Sequence, residues 1–356
     1  MEYAITSGFR GVAKRLALGV AVALTALVPA MTNAQEAGDG KPWQDYYGAF
    51  AGKKVAFVPM ALSFDIAQAY DGSMKAQADA LGYTYEVRDP NWSVESAVQI
   101  AEQYLAEDPK PDIMVIHPLD DKAFLRVIKK AKDAGVYVIF MNLRMGAGTD
   151  SMGNTIYIGA DHYNEGKKKL ELAAQACANS ESKKIAIIQA PLTNAVAIAE
   201  TAGELEQLKL HPELNLVSMQ SADADANKAK SIASTILKQN PDMCAIIGQW
   251  DGQDIGIPPA VAEAGLTGKV AVITSGSGSQ PNACDKISDG TYTGYVSSNI
   301  ADQTVILGAT IKQLLQTKPP IDTATWSVYV DSPIITKDTM AKTPCWNLDY
   351  VTRSPM

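Results

Sequence analysis

The chain has 356 residues, of which 39 are acidic and 31 are basic, and its formal net charge is −8 at pH 7. This acidity argues against nucleic acids and anionic membranes as partners, because proteins bind both through basic patches. The length exceeds what a single hydrophobic core usually organises, so we expect two domains.

The N-terminus has the pattern of a secretory signal peptide. Three basic residues lie before an apolar run at 16–30, and small residues precede the expected cleavage after Ala34. This run is too short for a stable membrane span, although an N-terminal anchor helix is the alternative interpretation. We therefore expect residues 1–34 to be removed and the mature protein to be soluble and periplasmic.

From Lys53 onward, short apolar segments alternate with amphipathic segments. The first set of predicted strands lies at 54–60, 83–87, 112–118, 136–142 and 155–160. Residues 93–107 and 121–135 repeat apolar side chains at helical spacing, and Gly135 is a typical helix stop. This pattern predicts a parallel sheet whose two faces are covered by helices.

The same pattern then starts again. A second set of predicted strands lies at 184–190, 215–220, 243–249, 269–275 and 293–299. Two such sets predict an α/β protein of two doubly wound, Rossmann-like lobes, and extended segments that cross between them would form a multi-strand hinge. Ligands of open α/β sheets bind beyond the carboxyl ends of the strands, so loops of both lobes are expected to line a cleft.

The sequence lacks the patterns of familiar catalytic sites. Its histidines, His117, His162 and His211, are scattered, and it contains no zinc-protease, nucleophile-elbow or P-loop motif. His117 follows a strand and could reach the cleft, but a hydrogen-bonded structural histidine is the preferred interpretation. A Gly-Ser repeat at 274–280 is expected to be a flexible cleft turn. We therefore expect a binding protein without a metal or other cofactor, with an exported enzyme as the alternative.

Four cysteines, Cys177, Cys244, Cys284 and Cys345, permit two disulfides in an exported protein, with three possible connectivities. Their long spacings argue against a metal site. We prefer a bond between Cys284 and Cys345, because both lie late in the chain. Free buried cysteines are the alternative.

Several segments together resemble periplasmic sugar-binding proteins of the ribose-binding type. The similar segments lie at 53–87, 116–142, 157–166 ("YIGADHYNEG") and 269–299. The resemblance implies the soluble receptor of an ABC importer, in which two lobes close around a small polar ligand and deliver it to a permease in the inner membrane. Related repressors carry a DNA-binding head, but here the predicted signal peptide stands in its place, so a repressor is excluded.

The resemblance also implies where the ligand binds. Most candidates lie at or just after the ends of predicted strands, whereas Glu200 lies three residues before Gly203, where the family has an arginine. Leu143 stands where the family has an arginine, and in this chain an arginine, Arg144, lies one residue later. The candidate ligand-binding residues are Ser63, Phe64, Asp65, Asn142, Arg144, Glu200, Trp250, Asp251, Ser277 and Ser298.

Departures from the family pattern bear on the ligand. The usual Asn-Asp pair after the strand at 243–249 becomes Trp250-Asp251, and Glu200 replaces an arginine. A neutral sugar or polyol stacked on an aromatic ring is the preferred ligand. A cationic or aromatic metabolite is the alternative, because a tryptophan beside carboxylates suits ammonium groups.

Other roles stay open for some of these side chains. Phe64 could pack in the core, Arg144 could pair with an acid between the lobes, and Glu200 could be a solvated helix residue. Trp92, in "DPNWS", could cap a helix or contact the ligand.

The expected division of the chain follows from the resemblance. The N-terminal lobe is predicted at 52–158 plus 300–330, and the C-terminal lobe at 159–299 plus 331–356. We expect a monomer that works by hinge closure, with stacking providing affinity and polar side chains providing specificity.

Overall fold

The computed structural model describes residues 41–145 and 152–353, so the predicted signal peptide lies outside the described residues. By its contacts the chain divides into two units, Met1–Ala49 and Phe50–Met356. The described helix of the first unit is α1 (Lys41–Gly48). All that follows concerns the second unit.

The first half of this unit alternates strands and helices as predicted. Its elements are β1 (Lys54–Val58), α2 (Asp65–Leu81), β2 (Thr84–Val87), α3 (Val94–Ala106), β3 (Ile113–Ile116), α4 (Leu125–Asp133), β4 (Tyr137–Met141) and β5 (Thr155–Ala160).

The second half repeats the alternation and ends in segments that return to the first sheet. Its elements are α5 (His162–Ala176), β6 (Lys184–Gln189), α6 (Ala195–Leu208), β7 (Asn215–Ser221), α7 (Ala226–Gln239), β8 (Ala245–Gly248), α8 (Asp251–Asp254), α9 (Ile257–Glu263), β9 (Ala271–Gly276), a π-helical turn (Gln280–Cys284), α10 (Asp285–Ser288), β10 (Gly294–Ser297), α11 (Ile300–Thr317), a 3-10 turn (Ile321–Thr323), β11 (Trp326–Val330), β12 (Ile334–Ile335) and α12 (Leu348–Arg353).

These strands form two six-stranded sheets, which define the two lobes. The first lobe has the order β11-β5-β4-β3-β1-β2 and the second has the order β12-β10-β9-β8-β6-β7. All neighbouring strands are parallel except β10 and β12, which are antiparallel. The predicted fold class, two α/β lobes with parallel sheets, is confirmed.

The chain passes between the sheets at three places. The crossings join β5 to α5, β10 to α11, and β11 to β12, since α5 packs against strands of the second sheet and α11 packs against α2 and β5. The last helix, α12, packs against α2 and α11. The residue ranges of the lobes stay a prediction. Residues 331–356 are predicted to belong to the C-terminal lobe, whereas α12, which lies within them, packs against helices that cover the first sheet.

Buried apolar side chains cover both sheets. Strands β1, β3 and β8 are buried along their whole length or nearly so, as expected for strands with helices on both faces. Within the described residues, every helix is too short or too polar to span a bilayer.

All four cysteines form disulfides, Cys284 with Cys345, as preferred from the sequence, and Cys177 with Cys244. Each bond closes a loop of more than sixty residues. Cross-links of this length are expected to stabilise the fold by about 2–4 kcal/mol each, largely through the unfolded chain.

Candidate functional site

A cavity of about 260 Å³, here called the inner cavity, lies between the lobes at the carboxyl ends of their strands. The first lobe contributes Phe64, Trp92, His117 and Asn142 to its wall. Polar side chains of the second lobe that line it are His162, Asn194, Glu200, Gln249, Ser275 and Ser298. This cavity therefore lies where the strand-end rule predicts a ligand site.

A second space of about 390 Å³, the outer cavity, adjoins the first. Both are lined by Phe64, Trp92 and Trp250. The outer cavity is also lined by Ser63, Asp65, Asp251, Asn282 and Lys286. The three aromatic rings therefore separate the two spaces.

The aromatic rings meet across the lobes. The ring of Phe64 lies 5.5 Å from that of Trp92 and 5.8 Å from that of Trp250, measured between centroids, with the Trp250 ring edge-on. Phe64 directly precedes α2 in the first lobe and Trp250 directly precedes α8 in the second, each as an N-cap residue with extended backbone. Trp92 has φ +65° and is 45% exposed, and its backbone N–H donates to the carbonyl of Met60. Its position on the cavity wall fits the binding role that the sequence left open.

Asp65 joins the lobes directly. Its Oδ2 accepts hydrogen bonds from the hydroxyls of Ser277 at 2.7 Å and Ser279 at 3.1 Å, and from Asn282 Nδ2 at 2.9 Å. The acceptor lies on α2 of the first lobe, whereas the three donors follow β9 of the second. The structure therefore brings the candidates Asp65 and Ser277 together, in contact with each other across the cleft.

Glu200 is placed by an unusually close approach of two helices. A Cβ atom added to Gly166 of α5 would lie 2.0 Å from the carbonyl oxygen of Glu200, and one added to Gly203 of α6 would lie 1.9 Å from that of Tyr163. Only glycine permits this distance, which sets Glu200 beside Lys169 of α5. The solvated role considered for Glu200 is wrong, because its side chain is buried.

Lys169 lies between two carboxyl groups. Its Nζ is 2.8 Å from Glu200 Oε2 and 3.0 Å from Glu204 Oε1, and it also donates to the carbonyl of Gly248. Burial raises the pKa of Glu200 to about 7, although Lys169 opposes this shift. Burial alone would lower the pKa of Lys169, but the two carboxyl groups outweigh it and raise the pKa above its ordinary value. The charge of Glu200 is thus compensated within the protein.

A second buried pair lies at the crossing into α5. His162 contacts Glu165 Oε2 through Nδ1 at 2.6 Å and the carbonyl of Asn142 through Nε2 at 2.7 Å. Burial would lower the pKa of His162, but Glu165 outweighs it and raises the pKa to about 9. The ring is therefore cationic at neutral pH, and both of its nitrogens donate.

The crossings themselves are joined by amide hydrogen bonds. Gln303 Nε2 donates to Asn142 Oδ1 at 3.1 Å and to the carbonyl of Ser298 at 2.7 Å. Asn142 has φ +59° and Ser298 lies directly after β10. The candidates Asn142 and Ser298 therefore line the inner cavity from segments that lie at chain crossings or next to them.

Five of the ten candidates do not line the inner cavity, namely Ser63, Asp65, Arg144, Asp251 and Ser277. Asp65 and Asp251 line the outer cavity, and Ser277 bonds Asp65 as described above. The exposed Arg144 donates to the hydroxyl of Tyr329 at 3.1 Å and lines a separate pocket beside β5 and β11. The left-handed turn at Asn142 buries Leu143 and directs the following residue elsewhere. The exposed Ser63 lies at the outer cavity.

The side chains of His162, Glu165 and Glu200 carry ligand atoms within 4.8 Å of one another, the spacing of a metal site. Each is engaged, however, by the two charge pairs described above. A cation here would have to displace the ammonium group of Lys169 from Glu200. We interpret this cluster as a compensated charge network.

Several lining residues were not among the candidates. Gln249 and Asn194 line the inner cavity, and Lys169 supports it. Gln249 directly follows β8, so the rule that selected Trp250 could have selected it too. Lys169 carried no signal, because a lysine within "KKKLEL" looks like a solvated helix face.

Asp251, the neighbour of Trp250, is buried and accepts a hydrogen bond from the hydroxyl of Tyr295 at 2.5 Å. Burial raises its pKa to about 8, the carboxylates of Asp65 and Asp254 add to the shift, and the Tyr295 hydrogen bond opposes it. An acid with a raised pKa binds its proton more tightly in the folded state, so its contribution to stability is lost as pH rises toward 8.

We therefore predict that Asp251→Asn gains stability relative to the wild type between pH 5 and pH 8.5. The expected gain is on the order of 1–3 kcal/mol, since the amide is never ionised in the buried site. Denaturant unfolding at both pH values measures it. Asp242→Asn is the control, because Lys184 lowers the pKa of that exposed carboxylate and it stays ionised throughout this range. A difference between Asp251→Asn and the wild type that does not change with pH would contradict the prediction.

Comparisons with known proteins identify the family of this chain. The periplasmic binding protein domain matches residues 55–319. The D-allose-binding periplasmic protein of Escherichia coli is 28% identical over 302 residues, which span 81% of this chain and 94% of that protein.

Solved structures share the fold. An ABC transporter periplasmic solute-binding protein from Actinobacillus succinogenes with bound D-allose has a TM-score of 0.71 at 24% identity, over 82% of this chain and 99% of that one. The Caulobacter myo-inositol binding protein has a TM-score of 0.68 at 20% identity, over 81% and 95% of the two chains. These proteins are described as binding proteins and not as enzymes. The chain belongs to the periplasmic binding protein family.

Proposed function

We propose that this protein is a periplasmic receptor that binds a neutral monosaccharide or polyol in the inner cavity and delivers it to the permease of an ABC importer. The observation that carries the proposal is the pairing of aromatic rings from both lobes with uncharged polar side chains. Rings stack on the apolar faces of a sugar, while hydroxyl, amide and imidazole groups bond its hydroxyls.

The size of the cavity favours a small ligand. Its volume of about 260 Å³ lies below the range of roughly 300–1,000 Å³ that is typical of pockets for drug-sized molecules. The similar proteins also fit, since one is named for D-allose and another was solved with myo-inositol.

The buried charges disfavour the cationic ligand that the sequence left as an alternative. Glu200 is the carboxylate on the inner wall, and Lys169 compensates it at 2.8 Å. The cationic His162 lies on the same wall. An ammonium ligand would therefore meet a carboxyl group that already has a cationic partner and a second cation on the same wall, so its desolvation would be poorly repaid.

Closure follows from the contacts between the lobes. A ligand that first stacks on Trp250 or Phe64 is enclosed when Asp65 reaches the donors after β9. Enclosure excludes water and strengthens every hydrogen bond to the ligand. Export through the predicted signal peptide, delivery to a permease and a monomeric state belong to the same proposal.

Removal of the aromatic platform should weaken sugar binding. For Trp250→Ala we predict a Kd for the tightest-binding of D-allose, D-ribose and myo-inositol that is about 10-fold to 100-fold higher, because stacking area is lost. Isothermal titration calorimetry measures this. Trp326→Phe, on the edge strand β11, is the matched control and should change the Kd less than 3-fold. An affinity of Trp250→Ala within 3-fold of the wild type would place the ligand elsewhere.

Loss of the contact between the lobes should shift the protein toward an open form. For Asp65→Ala we predict a larger radius of gyration by small-angle X-ray scattering and about 10-fold weaker sugar binding, since three hydrogen bonds of the closed form are lost. Asp79→Ala changes an exposed carboxylate on the same helix and should have neither effect. If Asp65→Ala matched the wild type in both measurements, closure through Asp65 would be refuted.

A further inference from the structure

We propose that His117 is a specificity-determining residue, whose imidazole hydrogen-bonds a hydroxyl of the ligand in the inner cavity. This inference rests on the proposed function and adds a residue that the sequence interpretation had assigned to structure. It also narrows the ligand class to rings that present a hydroxyl toward the end of β3.

The first observation is an unsatisfied polar side chain. His117 is 1% exposed and lines the inner cavity. Among the residues that the structure describes, neither Nδ1 nor Nε2 has a hydrogen-bond partner. Buried polar groups in proteins are nearly always paired, and an unpaired one destabilises the folded state. A ligand hydroxyl at this wall would supply the partner.

The second observation is that the ring is held in place. The backbone N–H of His117 donates to the carbonyl of Val58 at 2.9 Å, which fixes the residue at the end of β3. Its ring stacks on Phe64 with 6.2 Å between centroids and meets the ring of Tyr70 edge-on at 5.6 Å. A polar group that is oriented before binding loses little entropy when the ligand arrives.

The chemistry of the ring matches a hydroxyl. Burial, together with the neighbouring His162, lowers the pKa of His117 to about 3, so the imidazole is neutral at physiological pH. One nitrogen then donates and the other accepts. A hydroxyl group does both, so it pairs with either tautomer, whereas an ammonium group can only donate. His162 differs, because both of its nitrogens are already engaged within the protein.

The test compares two variants of His117. His117→Phe keeps an aromatic ring against Phe64 and Tyr70 but removes both nitrogens, whereas His117→Gln keeps a donor and an acceptor. The probe is the tightest-binding of D-allose, D-ribose and myo-inositol, together with its monodeoxy analogues. Kd values come from isothermal titration calorimetry, and thermal unfolding verifies that each variant is folded. His211→Gln, on the surface of the second lobe, is the control.

We expect the Kd of His117→Phe to rise about 10-fold, and that of His117→Gln to rise less than 3-fold. One monodeoxy analogue should bind the wild type about 10-fold more weakly than its parent, and His117→Phe should no longer distinguish the two. A purely structural role of His117 would weaken all analogues equally and leave this discrimination intact.

The outcomes separate the two proposals. Unchanged affinity and discrimination in His117→Phe would overturn the role of His117 while leaving the sugar receptor in place. If His117→Phe does not fold, His117→Gln decides the test. A folded His117→Gln that has lost all affinity for the probe would also overturn the inference. Failure of D-allose, D-ribose and myo-inositol alike to bind the wild type would overturn the proposed function, and the inference with it.

Discussion

The hydrogen bonds of Asp65 are the contact on which the site depends. They connect the first turn of α2 in one lobe with the loop after β9 in the other, and the rings of Phe64 and Trp250 meet beside them. The inner cavity has one wall in each lobe, so its shape depends on the two lobes being held together. Since a single carboxylate binds three donors, closure depends on polar contacts that water can replace, which is suited to a receptor that must open again.

The charges around the cavity are arranged so that the ligand meets little uncompensated charge. Lys169 lies between Glu200 and Glu204, and the imidazolium of His162 lies against Glu165. Both networks are buried, where an isolated ion would be strongly destabilising, so loss of one partner is expected to destabilise the fold. The close approach of α5 and α6 at Gly166 and Gly203 makes the larger of these networks possible. The remaining polar groups are suited to hydroxyls.

The sequence predicted the scaffold well and the site in part. The ten predicted strands are all present, and most of them are buried parallel strands, which appear in the sequence as continuous apolar runs. The strands β11 and β12 were missed, because the first is an edge strand of alternating burial and the second is only two residues long. The strand-end rule located Phe64, Asn142 and Trp250 at the cleft. It failed for Arg144, because the chain turns away at Asn142, and it undervalued His117, because no sequence shows that a buried histidine lacks a partner.

The central claim is that the lobes close around a neutral hydroxylated ring in contact with aromatic side chains of both. A crystal structure of the protein grown with its tightest-binding sugar tests this most directly. Our account predicts electron density for the sugar in the inner cavity, in contact with Phe64 and Trp250, while Asp65 still accepts a hydrogen bond from Ser277. A sugar bound outside this cavity, or inside it without contact to either ring, would contradict the account.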